Sequence, residues 1–115
     1  MIKKRKENGE LIVSLYEIKK LNTIFSERVG EELKEILKEK GTKLLFDLSG
    51  IKFIDSQGFS MLKSINELAN SNSSQFILCN ISPEVQELLQ LLDLQDYFTT
   101  CKRELKTEKV MIDVE

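Results

Sequence analysis

The chain has 115 residues, enough for one hydrophobic core and too few for two. Its 41% hydrophobic and 31% charged content suits an ordinary globular protein, and a net charge of −2 gives no reason to expect a nucleic-acid partner. Histidine is absent, which excludes a Ser-His-Asp triad, a Cys-His dyad and histidine metal sites, so any catalysis would fall to carboxylates or lysines.

Residues 2–7 (IKKRKE), Asn8-Gly9 and then ELIVSLYEI predict a β-hairpin, because Asn-Gly supplies both positive-φ positions of a two-residue type I′ turn. The lysine-rich first arm suits an edge strand protected against pairing with another chain. As the start of a signal peptide the same run fails, since Glu7-Asn8-Gly9-Glu10 stands where an apolar stretch should begin. No run approaches the roughly 20 apolar residues that span a bilayer. The pattern breaks over residues 19–25, where Asn22-Thr23 reads as loop. Ser26 then caps a helix running to about Lys40, with Val29, Leu33, Ile36 and Leu37 as its buried stripe and Gly41 as its stop. Glu27, Glu31 and Glu32 near its start and Lys38 and Lys40 near its end match the helix dipole.

Leu44, Leu45, Phe46 and Leu48, broken only by Asp47, form the short apolar run of a strand covered on both faces, hence a central one. A Ser49-Gly50 turn and a second apolar run lead to Asp55-Ser56-Gln57-Gly58. Beyond it Phe59, Leu62, Ile65 and Ala69 recur at three- and four-residue steps, one face of a helix. A polar connection (NSNSS, 70–74) precedes the strand QFILC (75–79). At Ser82-Pro83-Glu84 a helix begins, with Ser as cap, Pro in the first helical position and Glu facing the positive end; Val85, Leu88, Leu89 and Leu92 are its apolar face. DYFTTC (96–101) holds the last strand, and the remaining RELKTEKVMIDVE reads equally as helix or strand. Cys79 and Cys101, far apart and without CxxC spacing, are expected in strands as reduced core residues of a cytosolic protein.

Strands alternating with helices predict an α/β fold with right-handed crossovers and a mainly parallel sheet, its first arm antiparallel to the second. In such sheets the carboxyl ends of the parallel strands share one edge, where ligands and partners dock. That rule gathers Asn22, Thr23, Asp55, Ser56, Asn80 and Ser82 onto a common rim. At the junction of strand and helix, the first turn offers unpaired N–H groups and a partial positive charge. Asp55 or Ser56 can cap it, and Gly58 leaves room for a partner or a phosphate to approach the backbone.

The stretch DLSGIKFIDSQG (47–58) resembles the STAS domain family of bacterial anti-sigma-factor antagonists, whose members show a strand ending in Asp-Leu-Ser, an apolar run and Asp-Ser-x-Gly. The resemblance extends to NISPEVQELLQLLDLQDYF (80–98) and more loosely to NGELIVSLYEIKKLN (8–22), nearly the whole chain; where many members continue Leu-Gly, this one has Phe59-Ser60. It implies a single STAS domain over residues 1–115, with helices packed on the sheet and a helix in the tail. It also implies a phosphorylatable hydroxyl at Ser56, within a partner-binding surface of Asn22, Thr23, Asp55, Ser56, Gln57, Gly58, Asn80 and Ser82. The implied partners are an anti-sigma factor that is also a serine kinase, bound by the unphosphorylated form so that a sigma factor is freed, and a serine phosphatase that resets the switch. ATP and its metal would belong to the kinase, leaving a cytoplasmic, non-enzymatic chain with no cofactor or metal and no direct contact with nucleic acid or membrane. The same fold also fits a scaffold of a stress-signalling complex or an accessory subunit of a membrane transporter. A third possibility is an aspartyl-phosphate receiver or small enzyme using Asp47 and Asp55. A receiver, however, would gather acidic residues after its first strand, where LIVSL is followed by Tyr16 and a single Glu17.

Overall fold

The computed structural model of the chain describes residues 2–101 and 103–105. Its first half contains β1 (Ile2–Glu7), β2 (Glu10–Leu15), β3 (Lys20–Leu21), α1 (Thr23–Ile36) and β4 (Lys43–Asp47). The second contains β5 (Phe53–Ile54), α2 (Ser56–Ser71), β6 (Gln75–Cys79), α3 (Pro83–Leu91) and β7 (Thr99–Thr100). Among the described residues five strands form one sheet in the order β1-β2-β4-β6-β7, and β3 pairs with β5 in a small second one. Among the described residues only the β1–β2 pair is antiparallel; β2–β4, β4–β6 and β6–β7 are parallel. The fold is thus α/β with a mainly parallel sheet and an N-terminal antiparallel hairpin.

Local sequence accounts for most of these elements. Asn8 and Gly9 sit at φ 52° and 80°, the two left-handed positions the type I′ turn requires. β4 lies in the middle, with Leu44, Leu45, Phe46 and Asp47 all buried. Its alternation sends Leu44 and Phe46 to one face and Leu45 to the other. On the first face, Val13, Phe46, Phe76 and Leu78 meet the buried stripes of α1, α2 and α3, including Phe59, Leu62, Ile65 and Ala69 of α2. Each of the large α2 side chains contributes about 1.5–3 kcal/mol by burial, far more than helix propensity supplies. On the opposite face Ile12, Leu45 and Cys79 form a smaller cluster closed by Leu105. The tail beyond residue 105, expected as helix or strand, lies outside the described residues.

Several boundaries differ from the sequence-based expectation, each for a physical reason. α1 starts at Thr23, and Asn22, read as loop, is its cap, accepting from the Ile24 and Phe25 N–H groups. Ser26, expected as the cap, is buried one turn inside. No acidic residue falls in the first turn, so the expected dipole pairing starts too late in the helix. At its other end α1 stops at Ile36 with Leu37 as cap, because the Asn72 side-chain amide donates to the Leu37 carbonyl and closes the helix end. Gly41, at φ 75°, turns the chain into β4 rather than ending the helix. Leu92 is 52% exposed instead of buried, since α3 ends at Leu91 and the chain turns away through Asp93 at φ 58°. The last strand shrinks to Thr99–Thr100, and Cys101 falls just beyond it.

The β3–β5 pair fixes the position of α2. Gly58 lies beneath it so closely that a Cβ there would stand 2.5 Å from the Leu21 carbonyl oxygen and 2.7 Å from Ile54 Cγ2. In Gly58→Ala, a propensity gain of up to about 1 kcal/mol competes with overpacking of roughly 1–3 kcal/mol, and the nearest atom is backbone that must move as a strand. The expected outcome in urea unfolding is a net loss of stability of roughly 1–2 kcal/mol; a neutral or stabilising result would show that β3 does not press on α2.

Candidate functional site

Parallel pairing of Lys20 with Phe53 and Leu21 with Ile54 brings the chain leaving β3 beside the chain leaving β5. The Asp55 N–H extends this pairing by donating to the Leu21 carbonyl at 3.2 Å. Asp55 then adopts extended backbone and caps α2, its Oδ1 accepting the Gly58 N–H at 2.8 Å. Its Oδ2 accepts from Thr23 twice, from the backbone N–H at 2.9 Å and from the hydroxyl at 3.1 Å. A single carboxylate therefore binds the N-terminal ends of two helices, each of which carries unpaired N–H groups and a partial positive charge. The carboxyl is held below its ordinary value chiefly by the Gly58 N–H; partial burial opposes this, and the Thr23 N–H, the Thr23 hydroxyl and the Gln57 N–H reinforce it.

With Asp55 acting as cap, Ser56 is released from that role. It is the first residue of α2 and is exposed, as is Gln57, while Gly58 is buried. The space beside Gly58, expected to admit a partner or a phosphate, is filled by the Leu21 carbonyl. Two apolar neighbours escaped the sequence reading: Ile24, in the first turn of α1, is 77% exposed and Phe53, on β5, is 46% exposed. Their signal was available in part, because alternation that buries Ile54 must turn Phe53 outward. From this junction a groove of about 560 Å³ runs between α1 and α2, bordered by Thr23, Gln57, Ser60 and Met61.

Asn80 and Ser82 follow β6 at the same carboxyl edge, but each makes hydrogen bonds of its own away from Asp55. Asn80, at φ 54°, donates its amide to Asp47 Oδ1 at 2.9 Å, Ser49 Oγ at 3.0 Å and the Leu105 carbonyl at 3.1 Å. Asp47 Oδ1 also accepts the Ser49 N–H and hydroxyl, while its Oδ2 is buried without a partner among the described residues. The Ser82 hydroxyl donates to the Ile51 carbonyl at 2.9 Å and accepts the Val85 N–H, capping α3. The structure thus brings together Asn22, Thr23, Asp55, Ser56, Gln57 and Gly58, and ties Asn80 and Ser82 separately to the β4–β5 connection, Asn80 at Ser49 and Ser82 at Ile51. Among the described residues no group of three or more Cys, Asp or Glu side chains is placed to share a metal ion, and no helix is long and apolar enough to cross a membrane.

Asp55→Asn keeps one oxygen for Gly58 but puts an amide where Thr23 needs an acceptor, so a loss of roughly 1–3 kcal/mol is expected at neutral pH. The sign of the pH dependence follows from the lowered carboxyl. Its contribution is present above the unfolded-state value, near 3.8, and is lost as pH falls through the lower native value. Denaturant unfolding of both proteins from pH 7 down to pH 2 should show the gap between them narrowing only at the acid end; a constant gap would mean that the charge of Asp55 contributes nothing.

The arrangement can be set beside known proteins. The family model for the STAS domain matches residues 2–108. Among curated proteins no relative matches. Among solved structures, an anti-sigma-factor antagonist (STAS) domain protein from Planctomyces limnophilus is similar with a TM-score of 0.78 at 20% identity, covering 86% of this chain and 87% of that one. The anti-sigma factor antagonist SpoIIAA in its unphosphorylated form gives a TM-score of 0.66 at 13% identity, covering 90% and 89%. The Bacillus cell fate determinant SpoIIAA in the phosphorylated form gives 0.63 at 13% identity, covering 89% and 92%. At these identities the structures establish the shared fold, and with the family model spanning all but the ends of the sequence, this chain belongs to the STAS domain family.

Proposed function

We propose that this chain is a cytoplasmic anti-sigma-factor antagonist that works as one STAS domain over residues 1–115. Its unphosphorylated form binds an anti-sigma factor that is also a serine kinase and so frees a sigma factor. Phosphorylation of Ser56 ends that contact, and a serine phosphatase restores it. The observation that carries this reading is the exposed Ser56 in the first turn of α2, next to a carboxylate that holds two helix ends in place. SpoIIAA, known in an unphosphorylated and a phosphorylated form on the same fold, supports it. The partner surface comprises Asn22, Thr23, Asp55, Ser56 and Gln57, with Gly58 beneath; Ile24 and Phe53 add the apolar contact area, and Asn80 and Ser82 extend it along the edge.

Magnitudes explain how one hydroxyl can switch such a surface. A phosphate on Ser56 adds about −1.5 to −2 charges and three acceptor oxygens. Within the domain two small terms oppose each other: the α2 N-terminus favours the anion by roughly 0.3–1 kcal/mol, and Asp55 repels it. A partner packed on the bare hydroxyl would have to bury an unpaired dianion, at a cost of several kcal/mol. About 4 kcal/mol is a thousandfold in affinity, so binding can be lost while the fold persists. The chain is here a substrate rather than a catalyst: Asp47 and Asp55 serve the hydrogen bonds described above, and the phosphate comes from the kinase's ATP, with no cofactor on this side.

Incubating the purified chain with ATP and host lysate, then mapping phosphosites by mass spectrometry, is expected to place the label on Ser56 and to lose it in Ser56→Ala. A partner captured by the unmodified chain should bind Ser56→Asp about tenfold or more weakly. Label only at other residues, or equal capture by Ser56→Asp, would sink the proposal. Native mass measurement separates the scaffold and transporter alternatives, which require a large homotypic complex or co-purifying membrane subunits.

A further inference from the structure

Parallel pairing of β6 with β7 sets Ile77 opposite Thr99 and Leu78 opposite Thr100. One step further, the same register sets Cys79 opposite Cys101, and the Cys101 N–H keeps it by donating to the Leu78 carbonyl at 2.8 Å. Partners in parallel register point to the same side of the sheet, and Cys101 indeed packs on the cluster formed by Ile12, Leu45, Cys79 and Leu105. Both cysteines are free thiols. Neighbouring strands lie about 4.8 Å apart, inside the roughly 4.4–6.8 Å range of Cα separations that a disulfide spans.

We infer that Cys79 and Cys101 form a reversible intramolecular disulfide on exposure to a hydroperoxide, tying β7 covalently to β6. The two sulfurs are unequal in a way that orders the steps. Cys79 is buried, whereas Cys101 is half-buried and opens onto a cleft of about 570 Å³ shared with Ser49, Asn80 and Arg103. Burial pushes the Cys79 thiol up, with Cys101 adding to the effect. Burial acts upward on Cys101 too, but the Cys79 thiol and the N–H and guanidinium groups of Arg103 outweigh it and hold Cys101 below the ordinary thiol value. The neutral Cys101 thiol lies 3.2 Å from the Arg103 carbonyl oxygen.

Cys101 thiolate therefore attacks first. An S–O bond forms, the peroxide O–O bond breaks, and hydroxide or alkoxide leaves; the sulfur gives up two electrons and the peroxide is reduced. Cys79 then attacks the sulfenic sulfur, forming S–S and breaking S–O, and the departing hydroxide takes the Cys79 proton as water. The bond would clamp a segment that Leu105 already anchors through its N–H and carbonyl to the two ends of the Asn80 amide.

Reduced full-length chain treated with stoichiometric hydrogen peroxide tests this by intact mass and iodoacetamide alkylation. The monomer is expected to lose the mass of two hydrogen atoms, to resist alkylation until dithiothreitol is added, and to yield a peptide linking residues 79 and 101. In Cys79→Ala, Cys101 should stop at a sulfenic acid that dimedone traps, and in Cys101→Ala the remaining thiol should stay reduced. Full alkylation of the peroxide-treated wild type, its conversion to a disulfide-linked dimer, or oxidation of Cys101 to the sulfinic acid with Cys79 untouched would each overturn the inference.

Discussion

The rest of this structure depends on the double grip of one carboxylate. Two helices begin at the same edge of the molecule, and each needs acceptors for its first N–H groups. Asp55 supplies one oxygen to α2 through Gly58 and the other to α1 through Thr23. The partial positive charges of both helix ends meet at one negative group, which favours its ionised form. The β3–β5 pair, only two residues long on each side, sets this up by running the two chains in parallel until Asp55 reaches Thr23.

This arrangement separates two duties that an Asp-Ser pair at a helix start could otherwise share. Had Ser56 been the cap, its hydroxyl would have faced inward to backbone N–H groups, and a phosphate there would have dismantled the helix end. With Asp55 as the cap, Ser56 is exposed and free of that duty, as the proposed modification requires. A switch of this type works by altering what the surface presents, and it needs no rearrangement of the sheet or helices beneath. Exposed Ile24 and Phe53 fit the same picture, because apolar area around a polar centre is where a dianion most disfavours a bound partner.

Much of this was legible in the sequence, and the exceptions share a cause. The hairpin came from Asn8-Gly9, the α2 stripe from Phe59, Leu62, Ile65 and Ala69, and the α3 start from Ser82-Pro83, all signals confined to a few adjacent residues. β3 and β5 were missed because a two-residue strand has no periodicity; what defines them is pairing across some thirty intervening residues. The α1 start was misplaced because Asn22 and Ser26 are both competent caps, and the contact that favours the earlier one, Thr23 on Asp55, is tertiary. Its end was misplaced for a similar reason, since the Asn72 amide that closes it comes from the far end of α2. At the carboxyl edge hydrogen bonds join Thr23, Asp55 and Gly58, with Asn22, Ser56 and Gln57 adjacent in the chain, while Asn80 is tied to Asp47 and Ser49, and Ser82 separately to Ile51. Strand order places residues on an edge, but only side-chain geometry divides that edge into networks. The Cys79–Cys101 pairing is of the same kind, invisible until β7 is seen to lie beside β6.

On the proposed function, the Asp55 clasp is complete in the unmodified chain and would persist were Ser56 phosphorylated. Amide hydrogen exchange of Thr23 and Gly58, the two N–H groups the carboxylate accepts, measures it directly in the unmodified and the Ser56-phosphorylated chain. The account predicts that both amides are protected to a similar degree in the two forms. Loss of protection at Thr23 or Gly58 upon phosphorylation would contradict it, because the phosphate would then act by opening the helix junction rather than by changing the surface it carries.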